Sequence, residues 1–173
     1  KPMKYLGVRY DITESEIERQ NARGILAAID TSYAYIEFDL GGHIKTANKN
    51  FLAVVGYQLD EVVGKHHRMF VDPVQSASNA YTQFWRDLNE GKAQVDVFKR
   101  ITKTGQEVWI QAVYAPVKDE MGRVFKVVKI ATDVTEQVKA ARMLSTAVEE
   151  AQAVTSAASK GDLAQRIPLE GKS

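Results

Sequence analysis

The sequence predicts an α+β domain in which helices cover one face of a five-stranded antiparallel sheet. Two short strand-like runs, residues 33–40 and 44–47, come first, and three longer ones follow a helical middle, at 93–101, 108–117 and 123–132. Glycine-containing turns separate the last three runs, as is typical of an antiparallel meander. Strands that gather at both ends of a helical stretch favour a sheet with its helices segregated to one face.

Helical segments are predicted before and within this pattern. Residues 14–29 carry apolar side chains at helical spacing. Asn48 is a typical N-cap for a short helix that ends at Gly56. A further helical turn is predicted at 59–63 and a longer helix at about 76–89.

Composition narrows the range of functions. Twenty-three Lys and Arg residues against 22 Asp and Glu give a net charge of +1, which argues against a nucleic-acid partner. No apolar run approaches the roughly 20 residues that cross a bilayer, so no membrane association is expected. The chain has no cysteine, which excludes disulfides and thiolate chemistry and fits a reducing cytoplasm. No Walker loop, G-x-S-x-G, H-E-x-x-H or kinase signature is present, so we expect no enzyme activity.

A short repeat indicates how the ends of the chain are organised. Residues 4–13 (KYLGVRYDIT) and 126–135 (KVVKIATDVT) are both β-rich runs that end in Asp-x-Thr before a charged helical stretch. Thr13 with Glu16, and Asp133 with Glu136, have the spacing of capping boxes. The repeat predicts that residues 1–13 are the last strand of a preceding, truncated sister domain; a chance match at a strand-to-helix junction is the alternative.

Four segments of the chain are characteristic: IKTANKNFLAVVGYQLDEVVGK, FWRDLNEGK, ITKTGQEVWIQAVYAPVKDEMGRV and KVVKIATDVTEQ. Together they resemble a PAS domain, most closely those of soluble bacterial chemoreceptors and aerotaxis receptors. The resemblance covers about residues 26–137 and implies the strand order 2-1-5-4-3, with a small-molecule pocket between the sheet and the helices.

The resemblance divides the chain into a sensor domain and flanking segments. Residues 14–30 are a linker helix, 31–135 the PAS domain and 136–160 an output helix. Residues 161–173, which include GDLAQRIPLEGK, are similar to a truncated HAMP connector. The output helix carries a seam of apolar and small residues at alternating three-four spacing, typical of helix association, at Leu144, Ala147, Ala151, Val154 and Ala158.

The adjacent histidines of GKHHRMF are the candidate haem ligands. Neutral imidazole is the usual ligand of haem iron, so either His66 or His67 would bind haem b, whereas His43 in the first hairpin turn is expected to lie far away. The alternative is a surface or capping histidine. One haem-binding subgroup of the family has a tryptophan where this chain has Ala131.

A flavin such as FAD is the second candidate cofactor. Asn48 and Trp85 match positions that look like flavin contacts in aerotaxis receptors, although Asn48 is also explained as a helix cap and Trp85 as core. Blue-light chemistry is excluded because the chain has no cysteine. On the central meander strand, alternation places Ile110, Ala112 and Tyr114 on one face, which by the family pattern faces the pocket.

Two functions are therefore expected from the resemblance. The first is a cofactor-bearing redox or gas sensor that passes its state to a chemotaxis kinase and coupling protein through a signalling domain outside this sequence. The second is a cofactor-free dimerisation and interaction relay. In either case we expect a homodimer, and Asp133 and Thr135 form the junction between the last strand and the output helix.

Overall fold

The computed structural model describes the backbone of residues 2–172 and the side chains of residues 13–161. The chain divides into two compact units, Lys1–Asp133 and Val134–Ser173. In chain order the elements are α1 (Pro2–Ser32), β1 (Ala34–Phe38), β2 (Ile44–Ala47), α2 (Lys49–Val55), α3 (Leu59–Val62), a 3-10 helix (His67–Phe70), α4 (Pro73–Ser76), α5 (Asn79–Asn89), β3 (Gln94–Ile101), β4 (Glu107–Lys118), β5 (Val124–Asp133) and α6 (Thr135–Lys172).

The five strands form one antiparallel sheet in the order β2-β1-β5-β4-β3, as predicted. β5 is the central strand, and its Ala131 lies between Ala34 of β1 and Ala112 of β4. Because side chains alternate along a strand, one face of the sheet carries the buried residues. Ile110, Ala112 and Tyr114 are each at most 1% exposed, which confirms the predicted inner face of β4.

Short helices cover this inner face, and their ends are defined by caps. Asn48 accepts a hydrogen bond from the Phe51 amide at the start of α2, and Gly56 ends that helix at φ +78°. A left-handed conformation of this kind favours glycine. The apolar core joins the sheet to helical residues Phe51, Val55, Val62, Phe70, Trp85 and Leu88.

The N-terminal segment differs from its predicted structure. The backbone of residues 2–12 is part of α1, which runs from Pro2 to Ser32, where a strand was expected over 1–13. A lone strand leaves its backbone groups unpaired, whereas a helix pairs them within the segment, so a β-rich composition does not decide the structure without a neighbouring strand. Thr13 consequently lies inside a helix and does not cap one. That these residues derive from a preceding sister domain stays a prediction.

The second unit is α6, one helix from Thr135 to Lys172. It includes both the predicted output helix and residues 161–172 of the HAMP-like segment, whose side chains from 162 onward lie outside the described residues. Its first turn contains Glu136, as expected for an acidic residue near a helix N-terminus. Within the part of the chain that the structure describes, no helix is long and apolar enough to cross a membrane.

Candidate functional site

A histidine with two tyrosine partners occupies the centre of the core. His67 begins the 3-10 helix and is completely buried. Its Nδ1 lies 2.8 Å from the Tyr81 hydroxyl on α5, and its Nε2 lies 2.9 Å from the Tyr114 hydroxyl on β4. A neutral imidazole has one donor and one acceptor nitrogen, so one tyrosine accepts a hydrogen bond from the ring and the other donates one to it.

Two basic side chains complete this group. Arg100 of β3 is 3% exposed and donates from Nη2 to the Tyr114 hydroxyl at 3.0 Å and from Nη1 to the Lys99 carbonyl at 2.9 Å. Lys129 of β5 is 1% exposed, and its ammonium group lies 4.7 Å from the centre of the Tyr114 ring. We call His67, Tyr81, Arg100, Tyr114 and Lys129 the polar core cluster.

Burial determines the protonation states within the polar core cluster. Burial lowers the pKa of His67 well below its ordinary value, and the positive charges of Arg100 and Lys129 lower it further. Burial also lowers the pKa of Lys129, with Arg100 contributing, and raises the pKa of Tyr114. Arginine does not lose its proton in proteins, so Arg100 is the permanent cation of the cluster and His67 is neutral at neutral pH.

Aromatic rings enclose the cluster. The ring centres of Phe38, Phe70, Phe84 and Trp85 lie between 5.3 and 6.3 Å from that of His67. These rings occupy the space directly around His67, in keeping with the dense packing of protein interiors.

A small cavity adjoins the cluster on its outer side, between α4, α5 and β3. Its volume is about 120 Å³, and Arg100, Tyr81 and Phe98 contribute to its wall. The Arg100 Nε–H is buried and has no hydrogen-bond partner among the described residues.

The second histidine of the pair caps a helix. His66 is the N-cap of the 3-10 helix, and its Nδ1 accepts hydrogen bonds from the Arg68 backbone amide at 3.0 Å and Nε at 3.1 Å. His43 pairs with His66 in an isolated β-bridge, and their ring centres are 5.2 Å apart. The expectation that His43 lies far away was wrong, because the first hairpin turn folds back against the segment before the 3-10 helix.

The residues do not fit haem as they are arranged. Both nitrogens of His67 already have partners, so ligation of iron would require the loss of a tyrosine hydrogen bond. The Nε2 of His66 lies against Gly42, where a Cβ atom would come within 2.7 Å of it. A macrocycle would also have to displace several of the aromatic rings around His67.

The two flavin candidates have structural roles. Asn48 accepts hydrogen bonds from the Phe51 and Tyr35 amides, both at 3.0 Å, and donates to the Asp30 carboxylate and the Tyr33 carbonyl, both at 2.9 Å. Its amide is therefore fully used in joining α1, β1 and α2. Trp85 is 8% exposed and belongs to the apolar core, and Ala131 is 2% exposed on the inner face of β5.

Comparison with known proteins decides the family. The family model described as the PAS fold matches residues 44–131, which is about half of the chain. The chain belongs to the PAS fold family. Its sheet order and the helices on one face of the sheet are those that the resemblance implied.

Three relatives illustrate the similarity of this PAS domain to signalling proteins. The biofilm dispersion protein BdlA of Pseudomonas aeruginosa is 45% identical over 109 residues, which cover 63% of this chain and 26% of BdlA. The aerotaxis receptor of Escherichia coli is 31% identical over 99 residues, covering 57% of this chain and 19% of the receptor. A solved RNA-binding light-oxygen-voltage receptor is 26% identical with a TM-score of 0.61, covering 73% of this chain and 36% of that protein. The chain thus spans about a quarter of the length of BdlA and about a fifth of the length of the aerotaxis receptor.

The two buried cations of this PAS domain were not predicted, although strand alternation in the sequence is a signal for them. Strand alternation places Lys129 on the same face of β5 as Val127 and Ala131, and Arg100 on the same face of β3 as Phe98. Among the described residues there is no group of three or more His, Cys, Asp or Glu side chains that could hold a metal ion.

The predicted junction residues lie where the two units meet in sequence. Asp133 is the last residue of β5 and is exposed, and Thr135 is the first residue of α6 and is buried. Only Val134 separates the central strand of the sheet from the output helix.

Proposed function

We propose that this chain is the non-catalytic sensory PAS domain of a cytoplasmic chemotaxis-type receptor and that its core works without haem or flavin. The observation that carries the proposal is His67, which is fully buried with each ring nitrogen within 2.9 Å of a tyrosine hydroxyl. The similarity to BdlA and to the aerotaxis receptor supports the receptor class.

We propose a core without haem or flavin because the candidate ligand residues already have structural partners. His67 is satisfied by Tyr81 and Tyr114, His66 caps the 3-10 helix, and Asn48 joins three elements. Releasing a buried, hydrogen-bonded group costs its desolvation penalty, roughly 1–3 kcal/mol for each broken bond. A cofactor would have to supply this free energy as well as displace aromatic rings from the core.

The relay function rests on the position of β5. The strand carries Lys129 of the polar core cluster on its inner face and continues through Asp133 and Thr135 into α6. A change in the cluster therefore acts on the strand from which the output helix begins. We further propose that α1 and α6 associate in a homodimer and that a signalling domain outside this sequence contacts the chemotaxis kinase and coupling protein.

A visible absorption spectrum tests the cofactor-free core. The purified protein is expected to absorb only in the ultraviolet, both as isolated and after incubation with excess haem or FAD followed by gel filtration. His67→Ala and His66→Ala are matched variants. If the protein did bind haem, substitution of the true ligand would abolish the haem spectrum, whereas substitution of the neighbouring histidine would leave it. A Soret band or a flavin spectrum in stoichiometric amount would contradict the proposal and restore the cofactor-bearing sensor.

A further inference from the structure

The core of this domain contains positive charge without a buried carboxylate. Arg100 and Lys129 are at most 3% exposed, and no Asp or Glu is buried among the side chains of residues 13–161. Neither cation takes part in an ion pair within the described part of the chain. Burial of an uncompensated charge is costly, and lysine can avoid that cost by losing its proton while arginine cannot. Arg100 therefore lacks a counter-charge.

The cavity beside Arg100 offers a place for that counter-charge. It measures about 120 Å³, and its lining includes Gln75, Ser78, Tyr81, Phe84, Phe98 and Arg100. Of these lining residues, Gln75 is exposed and Arg100 is buried. Two of the three guanidinium nitrogens have acceptors, and the buried Nε–H has none among the described residues.

We propose that this cavity is a binding site for a short-chain carboxylate such as acetate or propionate, held by the Arg100 guanidinium. The inference deepens the proposed function by naming what the sensor binds, and it rests on a core that holds neither haem nor flavin. The carboxylate compensates the positive charge of the guanidinium at the cavity wall, and its alkyl group packs against Phe84 and Phe98.

The charge of the cavity wall restricts the ligand class. The cavity is a small recess of about 120 Å³, which an acid of two or three carbons can enter. A carboxylate has only acceptor atoms, and its negative charge compensates that of Arg100.

The site is coupled to the rest of the core through one hydroxyl group. Tyr114 receives a hydrogen bond from Arg100 and contacts His67, which in turn contacts Tyr81 of the cavity wall. A ligand that draws the guanidinium toward the cavity changes the hydrogen bonds of the whole polar core cluster. Binding at the edge of the domain thereby reaches β4 and the 3-10 helix.

Thermal unfolding of the complete chain with added sodium acetate or propionate tests the site, with sodium chloride keeping the ionic strength constant. We expect Tm to rise by a few degrees with saturation, because a ligand that binds only the folded state stabilises it. Acetamide, the uncharged isostere of acetate, should leave Tm unchanged. Isothermal titration calorimetry with acetate should give a stoichiometry of one per chain.

Variants locate the response within the cavity. Arg100→Gln keeps a hydrogen-bonding side chain and should lose the acetate response. Ala80→Leu enlarges an exposed residue of the cavity wall, leaves Arg100 in place, and should weaken acetate binding at least tenfold, whereas Ala77→Leu outside the lining should not. If Arg100→Gln does not fold, Ala80→Leu alone tests whether acetate binds in this cavity.

The results separate this inference from the proposed function. A colourless protein whose Tm responds equally to acetate and chloride would overturn the carboxylate site and leave the cofactor-free relay intact. A haem or flavin spectrum would overturn the proposed function itself. An acetate response that survives in both Arg100→Gln and Ala80→Leu would also overturn the assignment to this cavity.

Discussion

At the scale of single residues, the polar core cluster combines one permanent charge with several titratable groups whose pKa values are shifted by burial. Arg100 is the permanent cation, while burial lowers the pKa of His67 and of Lys129 and raises that of Tyr81 to about 12. Each of these titratable groups is held by hydrogen bonds or ring contacts from a different element of the fold. A change of protonation at any one of them therefore alters contacts between elements.

The pH dependence of the free energy of unfolding should report the protonation of His67. Because its pKa in the folded protein is lowered, the unfolded chain binds more protons below the ordinary histidine pKa of about 6.5. Stability is thus complete above about pH 6.5 and decreases as the pH falls, at a rate approaching 1.4 kcal/mol per pH unit. Urea unfolding at pH 7.5 and 5.5 should show this loss in the wild type, and His67→Gln should reduce it by about 1 kcal/mol.

Tyr81→Phe is the matched control for this measurement. It removes a hydrogen bond to His67 at a cost of about 1 kcal/mol but keeps the buried imidazole, so its stability should retain the wild-type dependence on pH. Equal pH dependence in wild type and His67→Gln would show that His67 is not held neutral.

At the scale of elements, the wall opposite the sheet is built from helices too short to be stable alone. α3 and α4 have four residues each and α2 has seven, far below the length at which an isolated helix forms in water. α2 has both a side-chain cap and buried residues, α3 has a buried residue, and α4 has a side-chain cap. Asn48 is the most connected of these caps, since it bonds residues of α1 and β1 in addition to α2.

Substitutions at Asn48 should separate its capping role from its bridging role. Asn48→Ser keeps an N-cap oxygen and loses the bridging amide, so we expect a loss of about 1 kcal/mol in the free energy of unfolding. Asn48→Ala loses both roles and should cost about 2 kcal/mol. Asn50→Ala, which removes bonds to the Asp30 and Tyr33 carbonyls alone, is the comparison and should cost less than Asn48→Ala.

Chemical denaturation followed by far-ultraviolet circular dichroism measures these differences. Asn48 would have no structural role if Asn48→Ala and wild type unfolded at the same denaturant concentration. Its use as a flavin contact would then be the better explanation of the residue.

At the scale of the whole molecule, both flanking helices expose apolar side chains. Ile17, Ile25 and Leu26 of α1 are 46–63% exposed. On α6, Leu144 and Val154 of the predicted seam are 67% and 68% exposed. Surfaces of this kind, repeated at helical spacing, are typical of helices that pack against a second copy.

The association state tests this surface. The wild-type chain should elute in size-exclusion chromatography with light scattering as a dimer, at twice its mass of 19.3 kDa. The double substitution Leu144→Glu and Val154→Glu places charge on the seam and should shift the protein to a monomer without changing the core. Met143→Glu, which changes an exposed apolar residue beside the seam, should remain dimeric. A monomeric wild type at high micromolar concentration would contradict the homodimer.

Local patterns in the sequence determined the strands, the inner face of β4 and the cap at Asn48, because alternation, glycine turns and N-cap chemistry act between residues close in the chain. Only the tertiary structure decided which residues, distant in sequence, contact one another. His67 and Tyr114 are 47 residues apart in sequence, and His43 meets His66 through a turn that folds back on another segment. The helical backbone of residues 2–12 was likewise not predicted by their β-rich composition. Contacts of this kind follow from how elements pack, and the local pattern of a segment does not contain that information.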